Sequence, residues 1–327
     1  MSTVTYLEAI SQAIREEMRR DEAVFLLGED VGAYGGAFKV SAGFQEEFGS
    51  ERVIDTPMSE TAIIGSAVGA ALMGMRPIAE MQYIDFITCG FDQIINMASK
   101  MYWRAGMPVP LVIRGPSGGG TKGGPFHSAS PEAWFFHTPG IKVVVPSTTY
   151  DAKGLLKAAI RDNNPVLYLE HKLLYRNPEL REDLPEEDYV VPLGKARVRR
   201  KGGDLTLLTY GAMVYQCLKA AQILEEEDDL SVEVVDLRSL TPLDLETIKE
   251  SVKRTNKVLI VHEDTLTGGI GAELSAVIAE DLFEYLDGPI TRVAAPDAPF
   301  PYAPPLEAAF LPNAAKILEA ARKLAAY

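Results

Sequence analysis

Stretches with apolar residues at helical spacing alternate along this chain with short, wholly apolar runs, and that alternation leaves few folds open. Leu7, Ile10, Ile14 and Met18 recur at helical spacing, and the apolar run 23–27 then stops at Gly28-Glu29-Asp30. The apolar stretch 61–75 leads into a strand-like 77–84. Phe91, Ile94, Ile95, Ala98 and Met101 lead into 111–113, and 143–145 precedes a helical 150–161 and a strand-like 166–169. Strands without polar alternation are buried on both faces, which predicts a parallel sheet covered by helices on either side. Between 176 and 192 the pattern breaks: Pro178, Pro185 and Pro192 are spaced among six acidic residues from Glu179 to Asp188. It then resumes with strands at 205–210, 232–237 and 258–261, helices at 214–227 and 243–255, and a helix beginning near Ile270. A chain of 327 residues exceeds one ordinary core. The expectation is an α/β protein of two doubly wound domains, 1–180 and 198–327, joined by a linker at 181–197. The Pro-rich stretch 299–312 is expected to be extended or turning backbone.

Composition narrows the function classes. Lys and Arg number 32 against 46 Asp and Glu, a net charge of -14, so the body repels phosphate backbones and anionic lipid, and no basic run exceeds Arg199-Arg200-Lys201. Nucleic acid and membrane are therefore not expected partners. Cys89 and Cys217 stand far apart in no Cys/His pattern, which argues against a disulfide framework or a structural zinc site. The start of the chain shows no basic patch followed by an apolar stretch, and the run 61–75 is shorter than the roughly 20 residues a bilayer span needs. A cytoplasmic protein is expected.

An open parallel sheet binds ligands at the carboxyl ends of its strands, so polar residues after apolar runs are the candidates. Glu60, in Asp55-Thr56-Pro57-Met58-Ser59-Glu60, precedes the apolar helix, whose Gly65 and Gly69 permit close approach of another backbone. A carboxylate there can share a proton with a ligand nitrogen, although acidic residues also favour first helical turns. Residues 115–124, GPSGGGTKGG, carry six glycines in ten positions but do not match the phosphate-binding GxxxxGK[ST], because Gly123 follows Lys122. An active-site loop without a phosphate role is expected. His127, at its end, is placed to move protons near neutral pH, whereas His137 and His171 read as structural. The GGIGAE of 268–273 lacks the third glycine of a dinucleotide loop, and His262-Glu263-Asp264 has no second histidine at metal-binding spacing, so it reads as a strand-end loop.

The same residues carry a family resemblance. Residues 28–32 (GEDVG), 55–60 (DTPMSE), 125–140 (PFHSASPEAWFFHTPG), 151–165 (DAKGLLKAAIRDNNP) and 237–242 (LRSLTP), in this order, resemble the beta subunit of the thiamine-diphosphate-dependent 2-oxo acid dehydrogenase (decarboxylating) component, of pyruvate or branched-chain type. The resemblance implies a transketolase-like fold: a pyrimidine-binding domain followed by a transketolase C-terminal domain. It implies that Glu60 bonds the aminopyrimidine ring nitrogen of thiamine diphosphate, that Met58 and Phe86 flank that ring, and that His127 guides acyl transfer to a lipoyl arm. Ala129 departs from the glutamine common two residues after that histidine. A potassium ion is implied at Val109, Leu111, Val112, Ala159, Asp162 and Asn164.

In this family the magnesium of the diphosphate end is held by a GDG motif and a later NN. This chain has no GDG, and its Asn163-Asn164 has none upstream. The resemblance therefore implies an alpha subunit that holds the magnesium and shares the cofactor in an alpha2-beta2 heterotetramer, which docks to a lipoyl acyltransferase core and acts on a small 2-oxo acid. An acetoin dehydrogenase beta subunit and a transketolase-type transferase subunit are the alternatives.

Overall fold

The computed structural model describes residues 3–327. Its contacts divide the chain into two compact units, one of residues up to Ser117 with Trp134–Leu193, the other of Gly118–Ala133 with Gly194–Tyr327. The first contains six parallel strands, β1 (Val24–Gly28), β2 (Val53–Asp55), β3 (Arg76–Glu80), β4 (Val112–Ser117), β5 (Lys142–Val144) and β6 (Val166–His171), ordered β5-β6-β4-β3-β1-β2. The chain winds outward from β1 in both directions, so the switch point lies beside β1 and β3, where ligands of such sheets bind. The helix Tyr6–Arg20 opens this unit with a reciprocal cap: Glu8 N donates to Thr5 Oγ1 at 3.2 Å and Thr5 N donates to Glu8 Oε2 at 2.7 Å.

The second unit contains β7 (Arg197–Arg200), β8 (Leu205–Thr209), β9 (Val232–Asp236), the short β10 (Ser239–Thr241), β11 (Val258–Thr265) and β12 (Thr291–Ala295). Five of these form a sheet ordered β12-β11-β8-β9-β7, parallel except for the antiparallel edge strand β7. The helices Met213–Asp228, Leu245–Thr255 and Ile270–Leu282 follow β8, β10 and β11. The expected α/β alternation is present in both units.

Four features depart from the expectations. Residues 181–193 pack as part of the first unit: Tyr189 stacks on Tyr150 with ring centroids 4.5 Å apart, Val191 N donates to Gly154 O at 3.0 Å, and Asp188 pairs with Arg161 at 2.9 Å. The boundary thus falls at Leu193/Gly194. Second, the Pro-rich stretch contains the helix Pro304–Phe310, because two prolines in a first turn give up only N–H groups that lack helical partners anyway. His262-Glu263-Asp264 is strand rather than loop, continuing β11, and its histidine is fully buried, which pushes the imidazole pKa down to about 4. Lastly, the helical pattern from Phe91 to Met101 is built around a π-helix, Gln93–Ala98, followed by a short α-helix, Met101–Ala105, and is preceded by a 3₁₀ segment, Ile84–Gly90.

The strands of the first unit also hide charge that their apolar appearance did not announce. Arg114 on β4 is buried and forms a salt bridge to Glu80 of β3 and a bidentate pair with Glu170 of β6, at 2.6 Å from Nε and 2.5 Å from Nη2. Tyr175 Oη donates to Glu170 at 2.7 Å. Burial raises the Glu80 pKa against the opposing pull of Arg114, while the two carboxylates hold the guanidinium charged despite its own burial.

Candidate active site

At the switch point, β1 ends at Gly28 and the chain turns through Glu29 and Asp30. Gly28 is required there, since a Cβ would lie 2.8 Å from the carbonyl oxygen of Glu80 on the neighbouring strand. Asp55, the last residue of β2, accepts a hydrogen bond from Gly32 N at 2.6 Å, and Thr56 N donates to Gly28 O at 3.0 Å, so the 28–32 and 55–60 segments are stitched together. The chain then enters the helix Glu60–Leu72, with Glu60 as its first residue. Glu29 is buried, and its carboxyl pKa is raised by that burial and by the charges of Glu60 and Asp30. Glu60 therefore shares its corner with a second carboxyl group, one that the sequence reading assigned no role. The rule that singled out Glu60, a polar residue just past an apolar strand, also describes Glu29.

Met58 is 82% exposed, Phe86 is half-buried at the turn after β3, and the buried Thr56 Oγ1 lacks a hydrogen-bond partner. A buried hydroxyl without a partner is a place where a bound polar molecule would complete the bonding. The helix is seated against the 3₁₀ segment Ile84–Gly90, where a Cβ on Gly90 would come within 2.3 Å of Ile64 Cδ1. Of the expected close-approach pair, a Cβ on Gly65 would lie 3.5 Å from the Gln93 side chain, while one on Gly69 would meet nothing within 4 Å, and Gly69 lies on the exposed side of the helix.

His127 sits elsewhere in the organisation of the chain. The glycine-rich segment after β4 leaves the first unit, and residues 118–133, His127 included, pack with the second. His127 is half-buried and directly follows a 3₁₀ turn, Gly124–Phe126. The loop has φ values of +79°, +81°, +62° and +63° at Gly118, Gly120, Lys122 and Gly124, so its N–H groups turn inward as in an anion-binding nest. The anions they meet are the protein's own. Glu263 Oε1 accepts from Gly119 N at 2.6 Å, and Glu307 Oε1 accepts from Gly120 N at 2.9 Å and Lys122 N at 3.1 Å. Beneath the loop, buried Glu132 accepts a hydrogen bond from Tyr210 Oη at 2.7 Å. Burial and the nearby charges of Asp264 and Glu263 push the Glu132 carboxyl up to about 8; Asp264 is itself raised to about 6, chiefly by burial.

The six residues of the implied potassium set all belong to the first unit, and the carbonyl oxygens of four of them accept hydrogen bonds. Val109 O accepts from Leu111 N, Leu111 O from Val166 N, Ala159 O from Asp162 N, and Asp162 O from Arg76. The Asp162 carboxylate is ion-paired with Lys142 and accepts from Asn164 N at 2.8 Å. Burial opposes ionisation there, yet these bonds leave the Asp162 pKa lowered. The Lys142 ammonium thus neutralises the one carboxylate of the set, while each carbonyl that accepts a single hydrogen bond keeps a second lone pair. Val112 is a buried β4 residue within the sheet. Among the described residues, no three His, Cys, Asp or Glu side chains group to hold a metal ion, and no helix is long and apolar enough to cross a membrane.

Comparison with known proteins defines the class. Residues 2–178 match the pyrimidine-binding domain of transketolase and residues 194–317 the transketolase C-terminal domain, the former implying thiamine diphosphate as cofactor. A solved structure described as a split-gene transketolase, inactive beta4 tetramer, superposes with a TM-score of 0.81 at 22% identity over 99% of each chain, which establishes the transketolase-like α/β fold. Among curated proteins, the 2-oxoisovalerate dehydrogenase subunit beta of Bacillus subtilis (strain 168) is 52% identical over 330 residues and 100% of both chains. The pyruvate dehydrogenase E1 component subunit beta of the same organism is 46% identical over 99% of each. That of Staphylococcus epidermidis is 44% identical over 98% of each. The chain belongs to the family of 2-oxo acid dehydrogenase E1 beta subunits, components of oxidoreductase complexes.

Proposed function

We propose that this chain, joined to an alpha subunit, decarboxylates branched-chain 2-oxo acids in preference to pyruvate and passes the acyl group to the lipoyl arm of an acyltransferase core. The observation that carries the catalytic part is the Glu60–Glu29 corner at the switch point, with the unpartnered Thr56 hydroxyl beside it. The higher identity to a 2-oxoisovalerate subunit than to pyruvate subunits supports the substrate order. Bound thiamine diphosphate would supply a carbon nucleophile and an electron sink for decarboxylation. Glu60 would hold a proton at the pyrimidine ring nitrogen, with the Glu29 carboxyl as its neighbour at the same corner. Met58 and Phe86 would flank the ring and exclude water from it. His127 would deliver a proton to the sulfur of the lipoyl dithiolane as its ring opens.

Magnesium and the diphosphate grip are assigned to the alpha subunit in an alpha2-beta2 assembly, and the Lys142 ammonium is assigned the place of the implied potassium ion beside Asp162. Exposed Met73, Tyr102 and Trp103, the last 93% exposed beside a cleft of about 700 Å³, support association with another chain. The compartment proposed is the cytoplasm.

The test is co-expression with the alpha subunit and turnover of 2-oxoisovalerate, 4-methyl-2-oxopentanoate, pyruvate and acetoin. Branched substrates should lead pyruvate in kcat/KM by about tenfold or more, the discrimination that one or two methylene groups give. Faster turnover of pyruvate or acetoin would overturn the substrate assignment, and turnover by the beta chain alone would overturn the shared site.

A further inference from the structure

The glycine loop is a strap whose fastenings lie far away in sequence, and the fastenings are carboxylates with no other part in the chemistry described so far. We propose that Glu307 and Glu263 are positioning residues: by binding the backbone N–H groups of residues 119–122 they hold the loop that carries His127 in the posture needed for acyl transfer. The inference rests on the reading of His127 given above, but the strap is read from geometry alone.

The two carboxylates act on different sides of the same turn. Glu263, on β11, takes Gly119 N and stands 3.4 Å from Ser130 Oγ, so it ties the entry of the loop to its exit. Glu307, buried within the short helix Pro304–Phe310, takes two converging N–H groups, Gly120 and Lys122, on one oxygen. Two donors on one charged acceptor give bonds stronger than neutral pairs and fix the intervening peptide planes. The backbone is drawn so close that side chains are shut out: a Cβ on Gly119 would lie 2.0 Å from Phe300 Cζ, and one on Gly124 2.2 Å from Tyr302 Cδ2. Phe300, Tyr302 and Glu307 come from a single stretch of chain, so the Pro-rich segment acts as the bed on which the loop lies. Five residues on from Lys122, His127 inherits that posture, with its own N–H turned back toward Gly124 O at 3.4 Å.

Two assays on the reconstituted alpha2-beta2 enzyme separate a positioning role from a general structural one. Decarboxylation coupled to ferricyanide does not need the lipoyl arm, whereas reductive acylation of an isolated lipoyl domain does. Glu307→Ala should lower acylation roughly ten- to hundredfold, the scale on which a displaced catalytic group costs rate, while leaving ferricyanide-coupled turnover within about twofold. His127→Ala sets the scale of the loss. Glu307→Gln, whose amide oxygen can accept the same two N–H bonds, should restore most of the rate, and Glu263→Gln should behave likewise.

Amide hydrogen exchange supplies the independent readout: Gly120 and Lys122 should exchange faster in Glu307→Ala and remain protected in Glu307→Gln. Equal losses in both assays with assembly intact, or unchanged exchange across 118–133, would overturn the proposal. A wild-type tetramer inert toward lipoyl domains would sink the functional reading instead, and the strap would then stand or fall on exchange alone.

Discussion

Both units bury carboxylates, and they treat them in opposite ways. In the first, Glu80 and Glu170 flank the guanidinium of Arg114, so that opposite charges compensate across three adjacent strands. In the second, Glu132 has a phenol and two further carboxylates, Glu263 and Asp264, among its neighbours, and its pKa rises to about 8. The first arrangement sets one cation between two anions. The second stores a proton and sits under a loop. Compensated charge inside a sheet serves to hold strands together, whereas crowded like charge at strand ends marks places where protons or backbone donors are handled. Glu29 and Glu60 follow the second pattern within the first unit.

The sharpest way to test this division is at the two extremes. Glu60→Gln should reduce decarboxylation by roughly a hundredfold to ten-thousandfold, the range associated with general acid–base groups, while the heterotetramer forms normally; near-normal turnover would place Glu60 with the structural carboxylates. Arg114→Met should do the reverse and destabilise the chain by about 3–5 kcal/mol, because two buried carboxylates would face each other uncompensated. Denaturant unfolding measures it, and a loss below about 1 kcal/mol would show that Glu80 and Glu170 take up protons at little cost.

Glu132 offers a pH test. With its carboxyl at about 8 against an ordinary 4.5, the folded chain keeps a proton that the unfolded chain releases. Its contribution is therefore complete below about pH 4.5, falls as pH rises toward 8, and is gone above that value. Glu132→Gln should flatten the decline of Tm between pH 6 and 8.5, and a decline unchanged from wild type would remove Glu132 as its source. The smallest effect is expected at Lys142. Wild-type Tm should be indifferent to exchange of sodium for potassium chloride, whereas Lys142→Met, which leaves the Asp162 carboxylate without its ammonium, should become selectively stabilised by potassium. A potassium-dependent wild type would instead restore the ion site to this chain.

Periodicity made the layered architecture legible because buried parallel strands leave an unbroken apolar record, as in β1 and the first four residues of β6 and β11. It was silent on β7, whose Arg197, Arg199 and Arg200 lie on a half-exposed antiparallel edge, and on β2 and β12, which are short or only partly covered. Arg114 escaped notice because a single charge in an apolar run gives no hint of the partners two strands supply. Local motifs singled out Glu60 and His127 as candidates. The support of the His127 loop was not legible, since the bond from Gly119 to Glu263 spans 144 positions and that from Gly120 to Glu307 spans 187. Short-range pattern carries no trace of contacts at such separation.

The chain passes between its two units three times, after Ser117, after Ala133 and after Leu193. Severing it at the last crossing would not yield two self-sufficient halves, because a piece beginning at Gly194 would lack the sixteen-residue insert that its acidic sockets grip. Gene fission or module exchange at the apparent seam would thus strand Glu263 and Glu307 without their natural occupants, so these halves should be inherited and recombined as one block.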